Sequence, residues 1–493
     1  MSPQRGPTAE PVLGRRRAGV LLHPTSLPGA ARDGALGDVA RHFVDWLVAG
    51  GFSVWQLLPL GPVGPDRSPY FARSNHAGNP GLLDLAALER AGLLPSARER
   101  AHVPHAGCVA QAAAALLASR GAAREAYDAF VAAERDWLGD YALFTAIQAR
   151  ESGRPWWEWS VSARDRDASA LAGARRTLAA EIECVQAGQF FFHSQWRELR
   201  AHANAQGVKL FGDIPIYVAP DSVEVWANRA LFQLDAAGLP TAVAGVPPDF
   251  FSADGQLWGN PLYRWEEHER TGFAWWLGRL RAQFALYDLL RIDHFRGLEA
   301  YWSVPAGAAT AKTGRWVVAH GEALLSRARE AFAALAVVAE DLGVITPEVE
   351  RLRDGFALPG MRVLQFGFDG TAGNVHALHE WTANAVGYTG THDNDTTAGW
   401  FASLRDDEKH RVREYLDCAD AQVVAQMVRV VTASVARLSV VPLQDLLGLG
   451  STARMNLPGT TESNWAWGFE WSDVPPDLAE RCRRRNATYG RCD

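Results

Sequence analysis

Cysteine is scarce and scattered. The five residues (Cys108, Cys184, Cys418, Cys482, Cys492) are odd in number and none stands in a CxxC pair. Neither a disulfide framework nor a zinc site is expected; the thiols should be reduced. No apolar run approaches the ~18 residues that span a bilayer. One of the longest, residues 331–339, stops after nine. Arg15, Arg16 and Arg17 precede only Val20–Leu22, too short for the apolar core of a signal peptide, so a cytoplasmic location without membrane attachment is expected. Basic blocks beyond short arginine clusters are missing and the net charge is −7, which argues against a nucleic-acid partner. No HxH pair or other ligand cluster at familiar spacing occurs. The expectation is an enzyme that uses neither metal nor organic cofactor.

What is present is ordinary globular composition on a long chain: 493 residues, 48% hydrophobic and 21% charged. That length allows several domains, or one barrel of about 250 or more residues with additions. Tryptophan is the exception, at 19 residues. Indole pairs a flat apolar face with an N–H donor, a combination suited to sugars as well as to cores.

Eight short apolar runs recur: 18–22, 53–58, 208–218, 289–295, 335–342, 362–366, 386–391 and 439–443. Stretches long enough for helices separate them. Such alternation implies a parallel sheet covered on both faces, and eight units imply a (β/α)₈ barrel. Residues 1–17 read as a loose arm. Residues 86–199, of which 86–149 are rich in Ala, Leu, Arg and Glu, read as a mainly helical insertion between the second and third strands. The barrel then takes 18–85 and 200–493, with no C-terminal β-domain. A Pro/Gly/aromatic segment at 245–261 reads as a functional loop.

Active sites of such barrels lie at the C-terminal strand ends. Four runs end in carboxylates: Asp213, Asp293, Glu340 with Asp341, and Asp393 with Asp395; Asp293 and Asp393 adjoin His294 and His392. A lone Asp after a strand is usually a cap or turn residue, but four around one rim point to glycoside chemistry. Alternation puts Arg291 and Asp293 on one face. A neighbouring guanidinium keeps a carboxylate ionised, as a nucleophile requires. Glu340 and Asp341 must diverge, and Glu340, in phase with Val338, should face inward.

These segments resemble the signature regions of the α-amylase clan, and in detail those of the amylomaltases (4-α-glucanotransferases, or disproportionating enzymes, of glycoside hydrolase family 77). The matching stretches include GVLLHPTSLPG (19–29), GDIPIYV (212–218), AGVPPDFFSADGQLWGNPLYRW (244–265), LRIDHFRGLEAYW (290–302), AEDLG (339–343), YTGTHDNDTTAGWF (388–401) and PLQDLLGLGSTARMNLPGT (442–460). The resemblance implies Asp293 as nucleophile, Glu340 as general acid and then base, and Asp393 as transition-state stabiliser. It implies that Arg291 orients Asp293, and that Asp213, His294, His392 and Tyr70 contact the sugar beside the cleaved bond. Asp249, Phe250, Phe251, Trp258, Asn260 and Pro261 are implied to line the acceptor side. His379 is the best match to a further family contact. Phe71 and Pro65 depart from the family's usual Gln and aromatic residue, so an outer glucan contact there is in question.

The implied reaction is transfer of α-1,4-glucan segments between maltooligosaccharides, amylose or glycogen, with glucose as an acceptor. A monomer or homodimer would suffice. An amylase-type hydrolase would use the same residues with water as acceptor. A non-catalytic glycogen-binding protein could have lost the three carboxylates, which are all here.

Overall fold

The computed structural model describes residues 12–248 and 253–493. Asp249, Phe250 and Phe251 therefore lie outside the described residues. Twelve strands occur among the described residues: β1 (Arg17–Leu21), β2 (Val54–Gln56), β3 (Lys209–Pro215), β4 (Ala242–Val246), β5 (Gln256–Pro261), β6 (Leu289–Asp293), β7 (Ala300–Pro305), β8 (Arg315–Val318), β9 (Val337–Ala339), β10 (Gly360–Val363), β11 (Ala385–Tyr388) and β12 (Leu438–Pro442).

Eight of them pair in parallel in the order β10-β11-β12-β1-β2-β3-β6-β9. The ends meet where the Ala339 N–H donates to the Pro359 carbonyl at 2.9 Å, bringing β9 to β10. The result is a (β/α)₈ barrel, and all eight apolar runs supply its strands. Strand alternation sorts their side chains into two layers. Leu21, Val54, Phe211, Leu289, Val338, Met361, Val363, Val386, Tyr388, Leu438 and Val440 form one buried cluster, the filled interior. Their sequence neighbours Val20, Trp55, Leu210, Leu290 and Val337 belong to the cluster shared with the surrounding helices.

The helix Asp38–Ala49 shows how the outer layer is encoded. Its buried residues Ala40, Phe43, Val44 and Leu47 recur at i, i+3, i+4 and i+7. Gly50 and Gly51 end it, Gly51 at φ +67°, a conformation glycine adopts without penalty. Phe43 is fully buried, so truncation to Ala would cost about 3–5 kcal/mol.

Between β2 and β3 the chain is helical, and its last helix, Ala179–Ala205, runs unbroken for 27 residues before β3. Two buried glutamines on it clamp the preceding loop. Gln189 accepts from the Gly78 N–H at 2.8 Å and donates to the Gly78 carbonyl at 2.9 Å. Gln195 does the same for Asp84, at 2.8 and 3.0 Å. Each amide satisfies both backbone polar groups of a buried residue.

A second sheet was not anticipated. β5, β4, β7 and β8 pair antiparallel in that order, with a register shift between Val243 and Gly245. The segment read as a loop at 245–261 is therefore largely the β4–β5 hairpin. Its pairing with β7 joins residues about 60 apart in sequence (Gly245 with Trp302), a contact no local pattern announces. No described helix is long and apolar enough to cross a membrane.

Candidate active site

The strand ends of β2, β3, β6, β9 and β11 feed one polar cluster. Asp213 and Arg291 continue the inward phase of Phe211 and Leu289. The Arg291 guanidinium lies between two carboxylates, 2.6 Å from Asp213 Oδ2 and 2.8 Å from Asp293 Oδ1. Burial works against a charged Arg291, yet Asp213 and Asp293 hold its pKa well above the ordinary range. Asp213 is sealed from solvent, whereas the side chain of Asp293 is 30% exposed. Asp293 thus combines a fixed cationic partner with an open face.

Glu340 has the opposite environment. It is buried at the end of β9. The His294 N–H donates to its Oε2 at 2.6 Å and the Leu342 N–H to its Oε1 at 2.9 Å. These donors and Arg291 favour the charged form. Burial, helped by the charge of Asp293, outweighs them and raises the pKa to about 8. Asp341 points away, where Met361 N–H (2.6 Å) and Arg362 (3.1 Å) hold it.

Tyr70 connects the two sides of the cleft. Its hydroxyl donates to Asp213 Oδ2 at 2.8 Å and lies 2.8 Å from His392 Nε2. Its ring stacks on that of His392, centroids 5.3 Å apart. His392 Nε2 is 3.4 Å from Asp393 Oδ2. The side chain of Asp393 is 44% exposed. The loop bearing it is shaped by Asn394, whose Oδ1 accepts from the N–H and hydroxyl of Thr391.

His294 adopts φ +52°. Desolvation lowers its pKa to about 4, so it is neutral at pH 7. Its ring meets Trp258 edge-on at 4.7 Å. Its Nε2 is buried with no hydrogen-bond partner among the described residues, leaving a donor or acceptor for a ligand. Asn260 is buried and donates to the Val218 carbonyl at 2.9 Å, so its amide holds β5 against the end of β3. Pro261 ends β5 opposite Val243. His379 is not brought to the cluster: it is exposed and contacts Tyr415 at 2.9 Å and Glu380 at 3.8 Å. Its turn, Leu378–Glu380, precedes β11, the entry end of the strand, which explains the separation from the rim.

Three contributors were missed. Asn456 donates to Asp393 Oδ1 at 2.7 Å, and Arg454 to the Asp393 carbonyl at 2.6 Å. Both lie in the matched stretch 442–460, but nothing in their spacing reveals a role. His23, at the end of β1, is buried and its pKa falls to about 3, through desolvation and then repulsion from His392. It lines a cleft with His392, Asn394, Asp395 and Arg454.

A buried carboxyl that holds its proton, near a second one paired with an arginine, at the C-terminal rim of a (β/α)₈ barrel is an arrangement suited to breaking and remaking glycosidic bonds. The chain belongs to glycoside hydrolase family 77, whose family model, described as 4-alpha-glucanotransferase, matches residues 22–472. It is 46% identical to the 4-alpha-glucanotransferase of Thermus thermophilus, over 95% of this chain and 97% of that one. It is 44% identical to that of Synechocystis sp., over 97% and 99%. Among solved structures it is similar to the amylomaltase of Streptococcus agalactiae in complex with acarbose, with a TM-score of 0.93 and 36% identity, covering 97% of this chain and all of that one. The function is that of a 4-alpha-glucanotransferase, and the hydrolase alternative is not favoured.

Proposed function

We propose that transfer proceeds by double displacement with Asp293, Glu340 and Asp393 as the catalytic residues. The observation that carries this reading is the divergence of two neighbouring carboxyls: Glu340 holds a proton up to about pH 8, while Asp293 is paired with Arg291 at 2.8 Å. Glu340 protonates the leaving glycosidic oxygen as Asp293 attacks the anomeric carbon. The bond to the leaving 4-oxygen breaks and a glucosyl–Asp293 ester forms. Glu340, now ionised, takes the proton from the 4-hydroxyl of an acceptor, which displaces Asp293 and restores the starting configuration. Asp393, steadied by Asn456, accepts hydrogen bonds from sugar hydroxyls. Tyr70, Asp213, His294 and His392 hold the ring undergoing substitution.

Water, at about 55 M, competes for the ester. An acceptor held in attacking geometry gains an effective molarity of about 10⁵ M or more. The β4–β5 hairpin, with Trp258 against His294, supplies that side of the cleft; Asp249, Phe250 and Phe251, outside the described residues, are proposed to contribute to acceptor binding. Substrates are α-1,4-glucans, with glucose among the acceptors. Purified enzyme on maltotriose should yield glucose plus a ladder of longer oligosaccharides. Accumulation of maltose and glucose, with nothing longer than the substrate, would instead establish a hydrolase.

A further inference from the structure

The loop that presents His392 and Asp393 leaves β11 at Thr389 and enters the helix Thr397–Ser403. Both of its ends are fastened to one carboxylate, Asp445, on the short helix Leu443–Leu447 that follows β12. The Thr389 hydroxyl donates to Asp445 Oδ2 at 2.6 Å. The Thr397 hydroxyl donates to the same oxygen at 2.7 Å, and the Thr397 N–H to Oδ1 at 2.7 Å. Thr389, Thr397 and Asp445 are all buried. Three donors converging on two oxygens suit a side chain that only accepts. An amide of the same shape would turn its own N–H₂ toward one of them. Desolvation raises the pKa of Asp445, and the three donors oppose that rise.

The middle of the loop is held by contacts that lead back to the same helix. Ser451 donates to Asp395 Oδ2 at 2.7 Å, and Gln365 donates to the Asp395 carbonyl at 3.0 Å. Arg454 and Asn456 hold the carbonyl and Oδ1 of Asp393 itself. Gln444, next to Asp445, donates to the Ala453 carbonyl at 3.3 Å. The segment that grips Asp393 and the carboxylate that grips the loop ends therefore belong to one hydrogen-bonded unit. Fixing both ends of a short loop limits how far the residues between them can shift. A group that stabilises charge in the transition state must stand in place beforehand, and a misplacement of about 1 Å can cost about 10²-fold in rate.

We propose that Asp445 is a positioning residue for the transfer reaction. By joining Thr389 to Thr397 it holds the intervening loop so that Asp393 meets the sugar hydroxyls in the transition state. This rests on the role given to Asp393 above. Asp445 itself is buried beneath the loop and acts on the glucan only through Asp393.

The test compares the wild type, Asp445→Asn, Asp393→Asn and the double variant on maltotriose. Asp445→Asn should lower kcat about ten- to a hundredfold and change KM by less than about threefold. The loss should persist with a glucosyl fluoride donor, because Asp393 acts on the sugar and not on the leaving group. The double variant should be no slower than Asp393→Asn alone, since a residue that acts through Asp393 then has nothing left to position. Wild-type kcat in Asp445→Asn overturns the proposal. So do losses that multiply in the double variant, which would make Asp445 a general support of the fold. If Asp445→Asn does not fold, Thr389→Val and Thr389→Ser decide. Valine should lower kcat and serine, which keeps the hydroxyl, should restore it; equal kcat in the two overturns the proposal. Wild-type kcat in Asp393→Asn fails the role given to Asp393 itself, so the two failures are distinguishable.

Discussion

Glu340 and Arg291 show how single residues set the chemistry. Desolvation keeps Glu340 protonated to about pH 8, so donor kcat/KM should fall about tenfold per pH unit above that value. A basic limb starting near pH 6 would contradict the assignment. Glu340→Gln should cost about 10²–10⁴ in rate on maltooligosaccharides. It should recover with a glucosyl fluoride donor, whose leaving group needs no proton; Asp293→Asn should not recover. Recovery of the second variant and not the first would reverse the roles. Stability follows the same group. The native carboxyl keeps its proton to about pH 8, whereas the unfolded one loses it near the ordinary 4.5. Unfolding free energy therefore declines as pH rises between those values, and Glu340→Gln should flatten that decline in denaturant titrations. Arg291 neutralises two carboxylates, one sealed from solvent. Arg291→Met should destabilise by about 3–5 kcal/mol, because it strands buried charge.

At the scale of elements, long-range clamps hold the rim-bearing loops. Gln189, on the 27-residue helix, satisfies both polar groups of Gly78. Gly78 has no room for a side chain, since an added Cβ would lie 2.1 Å from Phe192. The same loop carries Ser74 and Asn75, bound to Glu224 at 3.1 and 2.7 Å. Gln189→Leu should lower stability by about 1–3 kcal/mol for each orphaned backbone group. An unchanged denaturation midpoint would show that the clamp contributes nothing. At the other end of the barrel Arg491 is buried, with no carboxylate partner among the described residues. It donates to the carbonyls of Arg17 (2.8 Å), Ala436 (3.0 Å) and Ser434 (3.1 Å), joining the C-terminal residues to the seam of β1 and β12.

For the molecule as a whole, the barrel collects acidic groups at one rim and balances them with its own cation. Arg291 bridges Asp213 and Asp293, and no cluster of three or more metal-ligating side chains occurs among the described residues. Exhaustive EDTA treatment is expected to leave transfer activity unchanged. Loss of activity restored by calcium would overturn that expectation.

The barrel strands and the rim carboxylates were legible in the chain because their signals are local. A run such as LSVV before Pro442, or LLRI before Asp293, is apolar on both faces and closed by polar or proline residues. Alternation within it assigns inside and outside without further information. Tertiary structure alone decided the rest. β4 lies between β5 and β7, and its pairing with β7 joins residues far apart along the chain. His379 goes to the surface because its turn leads into the start of β11 rather than leaving its end. Asn456 and His23 matter through neighbours that folding brings to them. The proton on Glu340 depends on a balance between burial, two backbone donors, Arg291 and Asp293. Desolvation and Coulomb forces act through space, so no local pattern could have set that balance.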